Sequence, residues 1–174
     1  MAGNDARLNK RKLLILGLGN TLLSDDGIGI YLGRRVSTLL SGADGLGGMD
    51  GLGPDFVEAS LGGLQLLDYI DGYEHLVIID AVQTADGVAG QLYSLTEKSL
   101  ASTVRLTSVH DINLTTALQL GRQLGMAIPA QVDIYAIEAQ DLFTFQESCT
   151  PELTAAIPDL AARIAADIWE KYTE

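Results

Sequence analysis

Two apolar runs most constrain what this chain can fold into: Leu13–Leu18, and the run that fills Leu76–Asp80 up to its terminal aspartate. Neither run alternates polar with apolar residues, so each is expected to form a strand buried on both faces. Between them, Ile28–Leu40 has its apolar residues at helical spacing. Buried strands separated by helices are typical of a parallel sheet, because parallel strands need long crossover connections.

The rest of the chain continues this alternation of strands and helices. It predicts a single domain, residues 1–174, with the α/β fold class: a three-layer α/β/α sandwich around a twisted, mainly parallel sheet of about five strands. The further strands are expected at Phe56–Glu58, at Leu92–Leu95 on an edge and at Val132–Ile137, and the further helices at Leu64–Ile70, at Asn113–Leu124 and after an N-cap at Thr150.

Three segments are expected to depart from regular structure. Residues 1–11 are polar and should form a flexible tail, and Ser41–Pro54 contains six glycines and should form a mobile surface loop. Pro158 should kink or restart the last helix, because it cannot donate a backbone hydrogen bond.

The composition narrows the possible partners. The net charge is −12, from 11 Lys and Arg against 23 Asp and Glu, so nucleic acid is disfavoured as a ligand. The acidic balance suits a basic protein partner, although a role in solubility is the favoured interpretation. The single cysteine, Cys149, gives no disulfide framework, and no segment resembles a signal peptide or a membrane span. We therefore expect a cytoplasmic protein without membrane insertion.

Two carboxylates and a histidine are expected to meet at one edge of the sheet. Asp25-Asp26 follows the first strand, Asp80 closes the second clear strand, and His110 precedes a helix. In open α/β sheets the ligand-binding groups lie beyond the carboxyl ends of the strands. Such a trio can bind a first-row divalent metal, and its carboxylates can activate a water. The alternative is that Asp25 and Asp26 only cap the following helix.

The glycines after the first strand favour a tight turn over a nucleotide site. Gly17-Leu18-Gly19 suggests a dinucleotide-binding turn, but Leu22 stands where the third glycine is required. No acidic residue follows about 20 residues later at the end of a second strand, because the glycine loop intervenes. At Gly19-Asn20 we expect a backbone with positive φ or a close approach.

The order of these motifs resembles that of the [NiFe]-hydrogenase maturation proteases. The first motif is Gly17-Leu18-Gly19-Asn20 followed by Asp25-Asp26-Gly27 and Gly29, the second is Ile79-Asp80-Ala81, and the third is Ser108-Val109-His110. The three motifs span residues 13–124, and the last strand and the C-terminal helix also agree with the family.

The resemblance implies a phosphorylase/hydrolase-like fold and an activity. It implies an aspartic-type-like, nickel-recognising endopeptidase that removes the C-terminal extension of a nickel-loaded hydrogenase large-subunit precursor. Asp26, Asp80 and His110 are implied as catalytic and metal-contacting residues. The nickel is carried by the precursor, and no tightly bound metal of the protein itself is expected.

One segment departs from the family pattern. Many relatives have Asp-Gly-Gly-Thr after the second strand, where this chain has Glu58-Ala59-Ser60-Leu61. Glu58 is a candidate for the acidic role. Two further hypotheses stay open: a non-catalytic metal- or nucleotide-binding module, and a family member that holds the precursor without cutting it.

Two other side chains are weighed as site residues and set aside. A Cys149–His110 dyad is conceivable, but a buried or capping thiol is the favoured interpretation. His75 is expected to lie at a solvated strand start, away from Asp80.

Overall fold

The computed structural model describes residues 11–42, 53–60, 63–100 and 114–172. Its sheet has five strands in the order β2-β1-β3-β5-β4. The first four are parallel neighbours, and β4 pairs with β5 in the antiparallel sense. The strands are β1 (Arg11–Leu18), β2 (Asp55–Ala59), β3 (Tyr73–Val82), β4 (Leu92–Thr96) and β5 (Gln131–Glu138).

Helices connect the parallel strands, as the alternation predicts. Two of the helices are preceded by a 3-10 turn, at Ser24–Gly27 and at Gly63–Leu66. The helices are α1 (Ile28–Leu40), α2 (Leu67–Ile70), α3 (Glu97–Leu100), α4 (Leu114–Gln123) and α5 (Pro151–Tyr172). The bounds of α1 are those expected from its apolar spacing alone.

The side chains of β1 show how the sheet separates two cores. Leu13 and Ile15 point into the core that α1 and α5 cover. Leu14 and Leu16 point into the opposite core, which α2 and α4 cover. Because successive residues of a strand face opposite sides, a run buried on both faces requires helices on both. The three-layer α/β/α sandwich with a mainly parallel five-stranded sheet is thereby confirmed.

Two expectations about β3 and α5 need correction. β3 starts at Tyr73 and ends at Val82, so Asp80 lies inside the strand and His75 does not precede it. His75 is half-buried, with its ring centroid 4.8 Å from that of Tyr172. α5 passes through Pro158 as one helix, so the expected restart is wrong, while the expected kink stays a prediction. Pro158 is exposed there, so water can hydrate the backbone carbonyl that loses its partner.

The order of the strands identifies where a site can form. From β1 the chain crosses to β2 on one side, whereas β3 lies on the other side of β1. This change of direction makes the carboxyl ends of β1 and β3 the topological switch point, which is where ligands bind in open α/β sheets. Residues 1–10 of the expected tail lie outside the described residues, as does most of the expected loop, Ser41–Pro54. Within the described part of the chain, no helix is long and apolar enough to cross a membrane.

Candidate active site

Asp26 lies in the 3-10 turn that follows β1, and its side chain is buried. The backbone N–H of Asn20 donates to Asp26 Oδ2 at 2.8 Å, so the turn binds the carboxylate that it carries. Gly19 makes this possible: its φ is +140°, and a Cβ there would lie 1.9 Å from the carbonyl oxygen of Asp26. The expected positive-φ turn at Gly19-Asn20 is confirmed.

Gly29 brings the Asp26 turn against β3. A Cβ on Gly29 would lie 2.2 Å from the carbonyl oxygen of Leu18 and 2.3 Å from that of Ile79. The start of α1 therefore rests on the backbone of β1 and β3 at a distance that only glycine permits. Asp26 precedes Gly29 by three residues, and Asp80 follows Ile79. Because Gly29 has no side chain, the elements that carry the two carboxylates can pack close together.

Asp80 is buried near the carboxyl end of β3. Its Oδ1 accepts a hydrogen bond from the backbone N–H of Ala81 at 2.9 Å. The 3-10 turn that carries Asp26 is in contact with β3. The strand that leads to Asp26 and the strand that contains Asp80 are neighbours, because Gly17 of β1 pairs with Ile79 of β3.

The third member of the predicted trio, His110, lies outside the described residues. Within residues 11–42, 53–60, 63–100 and 114–172, no three His, Cys, Asp or Glu side chains come together as a metal site. A metal site built on Asp26 and Asp80 therefore needs a ligand from elsewhere. The assignment of Asp26, Asp80 and His110 stays a prediction.

Asp25 has a different role from its neighbour. Its fully buried carboxylate accepts hydrogen bonds from the backbone N–H groups of Gln140 (3.0 Å), Asp141 (3.1 Å) and Thr150 (2.7 Å), and from the Thr150 hydroxyl (3.2 Å). These groups lie at both ends of the segment between β5 and α5. Neither the 3-10 turn nor α1 has a side-chain N-cap, so the interpretation of Asp25 and Asp26 as helix caps is wrong.

Cys149 is unsuited to nucleophilic chemistry. Burial, aided by the negative charge of Asp25, raises the pKa of the Cys149 thiol to about 12. The thiolate, which is the nucleophilic form, is therefore scarce at neutral pH. The expectation of a buried thiol is confirmed.

Glu58, the candidate replacement acid, is held by a cation at the surface of β2. Arg34 donates from Nε to Oε1 at 2.6 Å and from Nη2 to Oε2 at 2.7 Å. These hydrogen bonds lower the pKa of Glu58. The side chain is exposed, so the pair is a surface contact between α1 and β2.

Sequence reasoning missed one buried carboxylate at the same edge of the sheet, that of Glu138. It accepts hydrogen bonds from the Thr84 backbone N–H (2.7 Å), the Thr84 hydroxyl (3.0 Å) and the Tyr93 hydroxyl (3.0 Å). The signal that could have found it is the one used for Asp80, an acid that closes an apolar strand. Its three donors come from the connection after β3 and from β4, which indicates that it stabilises this corner.

Comparisons with known proteins agree with the fold and the motifs. The family model described as hydrogenase maturation protease matches residues 53–167. The Hydrogenase 2 maturation protease of Escherichia coli (strain K12) is 26% identical over 167 residues, which cover 94% of each chain.

Two solved structures show the same fold. The hydrogenase maturating endopeptidase HybD from E. coli superposes with a TM-score of 0.72 at 23% identity, covering 92% of this chain and 93% of that one. The [NiFe] hydrogenase maturation protease HybD from Thermococcus kodakarensis gives a TM-score of 0.68 at 22% identity, and the match covers 90% of this chain and 98% of that one.

The structure is an α/β fold with buried carboxylates at the carboxyl edge of a mainly parallel sheet. The family match covers well over half of the sequence. The chain belongs to the hydrogenase maturation protease family, which is a family of peptidases.

Proposed function

We propose that this chain is a cytoplasmic endopeptidase that removes the C-terminal extension of a nickel-loaded [NiFe]-hydrogenase large-subunit precursor. The observation that carries the proposal is the Gly29 contact, which brings the Asp26 turn against the strand of Asp80 in a member of this family. The nickel belongs to the substrate in this scheme. Asp26, Asp80 and His110 reach toward it, and no resident metal is required.

The chemistry proposed for the carboxylates is general-base hydrolysis. One carboxylate takes a proton from a water whose oxygen attacks the scissile carbonyl carbon. The C–N bond then breaks, and the proton passes to the amine of the released tail. Backbone N–H groups hold Asp26 Oδ2 and Asp80 Oδ1 in fixed positions, which favours catalysis because little reorganisation is needed.

A cleavage assay on large-subunit precursors from the same organism tests the proposal. Each precursor is prepared with and without nickel, and mass spectrometry with terminal sequencing identifies the cut. We expect one short C-terminal tail to be released from the nickel-loaded precursor. If every precursor in the organism stays intact in both forms, the chain is not this protease.

Substitutions test the residues. Asp26→Asn, Asp80→Asn and His110→Ala should each lower the single-turnover cleavage rate by about 10²–10⁴-fold, the usual contribution of a general acid or base. Asp68→Asn is the matched control, because Asp68 is exposed on α2 at the opposite edge of the sheet. An Asp26→Asn protein that cleaves within about threefold of the wild type would exclude it from catalysis.

The same assay separates the two alternative functions. Stable capture of the precursor without any cut would indicate a family member that binds but no longer cleaves. Tight binding of a dinucleotide in a calorimetric titration would favour a nucleotide-binding module. One observation argues against the nucleotide-binding module. A bound ribose would need an acid near the end of β2, and both carboxylate oxygens of Glu58 there already accept hydrogen bonds from Arg34.

A further inference from the structure

Two phenylalanines stand out on the surface of the segment between β5 and α5. Phe143 and Phe145 are 75% and 76% exposed, more than any other large hydrophobic residue in the described part of the chain. Exposed apolar residues that occur together often mark interaction sites, and aromatic residues are enriched at protein interfaces. We call residues 139–150 the aromatic loop.

The aromatic loop is held in a defined conformation. The Asp25 carboxylate accepts backbone hydrogen bonds from both ends of the loop, at Gln140, Asp141 and Thr150. Within the loop, Asp141 Oδ1 accepts from the backbone N–H groups of Phe143 (3.1 Å) and Thr144 (3.0 Å). A surface that is already ordered loses little conformational entropy when a partner binds.

Hydrogen bonds join the aromatic loop to the turn that carries Asp26. The backbone N–H of Gln146 donates to the Leu22 carbonyl at 3.0 Å, and that of Ser24 donates to the Gln146 carbonyl at 2.8 Å. The backbone N–H of Asp25 donates to the Asp141 carbonyl at 2.9 Å. Leu23 therefore pairs with Gln146 in the parallel sense. Leu22, which is 40% exposed, precedes Leu23 as Phe145 precedes Gln146. The segment that carries the exposed phenylalanines is thus hydrogen-bonded to the turn that carries Asp26.

Charge restricts which partner could cover this surface. The sequence contains no Lys, Arg or His between Arg122 and Arg163, and the aromatic loop itself carries Asp141 and Glu147. Hydrogen bonds from Thr144 and Phe143 lower the pKa of the Asp141 carboxyl, so it stays ionised at neutral pH. A complementary partner would present apolar side chains bordered by Lys or Arg.

We propose that the aromatic loop is the surface on which the protein substrate docks. The substrate would contact the loop with an apolar patch that is bordered by its own Lys or Arg side chains. This inference rests on the proposed function, because the substrate there is a folded precursor that must be held while its tail reaches Asp26. The loop's attachment to the Asp26 turn places such a partner beside the carboxylates. Phe143 and Phe145 are the expected anchors, with Leu22 extending the contact.

The test is a double variant, Phe143→Ser with Phe145→Ser, in the cleavage assay on the nickel-loaded precursor. We expect kcat/KM to fall at least about tenfold, as for truncated interface anchors, while kcat at saturating precursor changes less than about twofold. Added salt should raise KM of the wild type. Leu124→Ser is the matched control, because Leu124 is 66% exposed at the opposite edge of the sheet. Both proteins should unfold at the wild-type denaturant midpoint.

Two results would overturn the docking surface. One is an unchanged kcat/KM in the double variant. The other is a wild-type dimer in sedimentation that the double variant abolishes without affecting cleavage, which would mean that a second copy of this chain covers the loop.

Failure of the proposed function gives a different pattern. If the wild type cuts no precursor, the affinity of wild type and double variant for the precursor decides the docking question. A tenfold weaker affinity of the variant supports docking without cleavage, whereas equal affinities or no binding reject it.

Discussion

The two ends of the sheet bury carboxylates in different ways. At the carboxyl end, backbone N–H groups donate to Asp25 and Asp26. At the amino end, side chains do so: the Tyr172 hydroxyl donates to Asp133, and Lys171 Nζ lies 3.4 Å from Asp133 Oδ1. The amino-end cluster fastens the end of α5 to β5. At the carboxyl end, Glu138 also accepts from hydroxyl groups, but Asp26 and most of the contacts of Asp25 depend on main-chain donors. Main-chain donors suit a site whose carboxylates must keep a fixed position.

The two ends of the sheet also use glycine for different physical reasons. At the carboxyl end, Gly29 is needed for space, because a Cβ would collide with two strand carbonyls. At the amino end, Gly72 has a φ of +89° and nothing within 4 Å of where its Cβ would be. One end therefore depends on close approach between elements, and the other depends only on the direction of a turn. We expect mutations at the carboxyl end to lower both activity and stability, and mutations at the amino end to lower stability alone.

The largest effects on stability and cleavage are expected when alanine replaces a glycine at one end of the sheet or at the other. Gly29→Ala should lower the free energy of unfolding by about 3 kcal/mol or more, because the clash is with backbone that cannot rotate away. Cleavage should fall with it, since the Asp26 turn must move. Gly72→Ala should cost about 1–2 kcal/mol, the strain of a left-handed backbone, with cleavage unchanged. Urea denaturation and the cleavage assay measure both, and equal effects at the two positions would refute the comparison.

An effect of intermediate size on stability, which should depend on pH, is expected at the amino end of the sheet. Burial alone would lower the pKa of Lys171, but Asp167 and Asp133 outweigh it and raise the pKa above its ordinary value of 10.5. Burial opposes the change at Asp167, yet hydrogen bonds from Lys171 and Tyr135 lower its pKa below 3.8. Lys171→Met should therefore destabilise the protein by about 1 kcal/mol near neutral pH, for a partly exposed network.

The pH dependence of that difference has a definite sign. The part due to Lys171 is present below pH 10.5 and is lost as the pH rises through the higher folded-state pKa. The part due to Asp167 is present above pH 3.8 and is lost as the pH falls through the lower folded-state pKa. Denaturation of wild type and Lys171→Met should thus differ most between these limits. A difference that persists unchanged at both extremes would show that Lys171 acts by packing alone.

The smallest effect is expected at the surface pair on β2. Arg34→Ala should change the free energy of unfolding by less than about 1 kcal/mol, because both partners are exposed to water and salt. Glu58→Gln should alter the cleavage rate less than about twofold. A larger loss of cleavage would restore Glu58 to the site and make the departure at Glu58–Leu61 functionally important.

The sequence predicted the elements well because their signals are local. Ile28–Leu40 is a helix with the expected bounds, and the apolar runs at Leu13 and Leu76 are central strands. The bounds of β3 were wrong because Tyr73, Glu74 and His75 are not continuously apolar, although Tyr73 and His75 pair with neighbouring strands. Pairing with a neighbouring strand, which periodicity does not report, set the start of that strand.

The candidate site was only partly predictable. Asp26 and Asp80 were singled out because they follow buried strands, and their elements are indeed in contact. The roles of the adjacent acids were not distinguishable, since Asp25 and Asp26 differ only in which way each side chain turns. Asp25 turns toward residues 115 to 125 positions away in the chain, and no local pattern encodes such partners.

By itself, the sequence determined the alternation of strands and helices, the acidic charge and the motif order that indicates the family. These depend on side-chain type and spacing between near neighbours, which the sequence displays directly. Only the tertiary structure decided that Asp25 holds the aromatic loop, that Gly29 draws the Asp26 turn onto β3, and that Phe143 and Phe145 stay in water. Each of these depends on which distant backbone atoms come within a few ångströms, and that is a property of the packed layers.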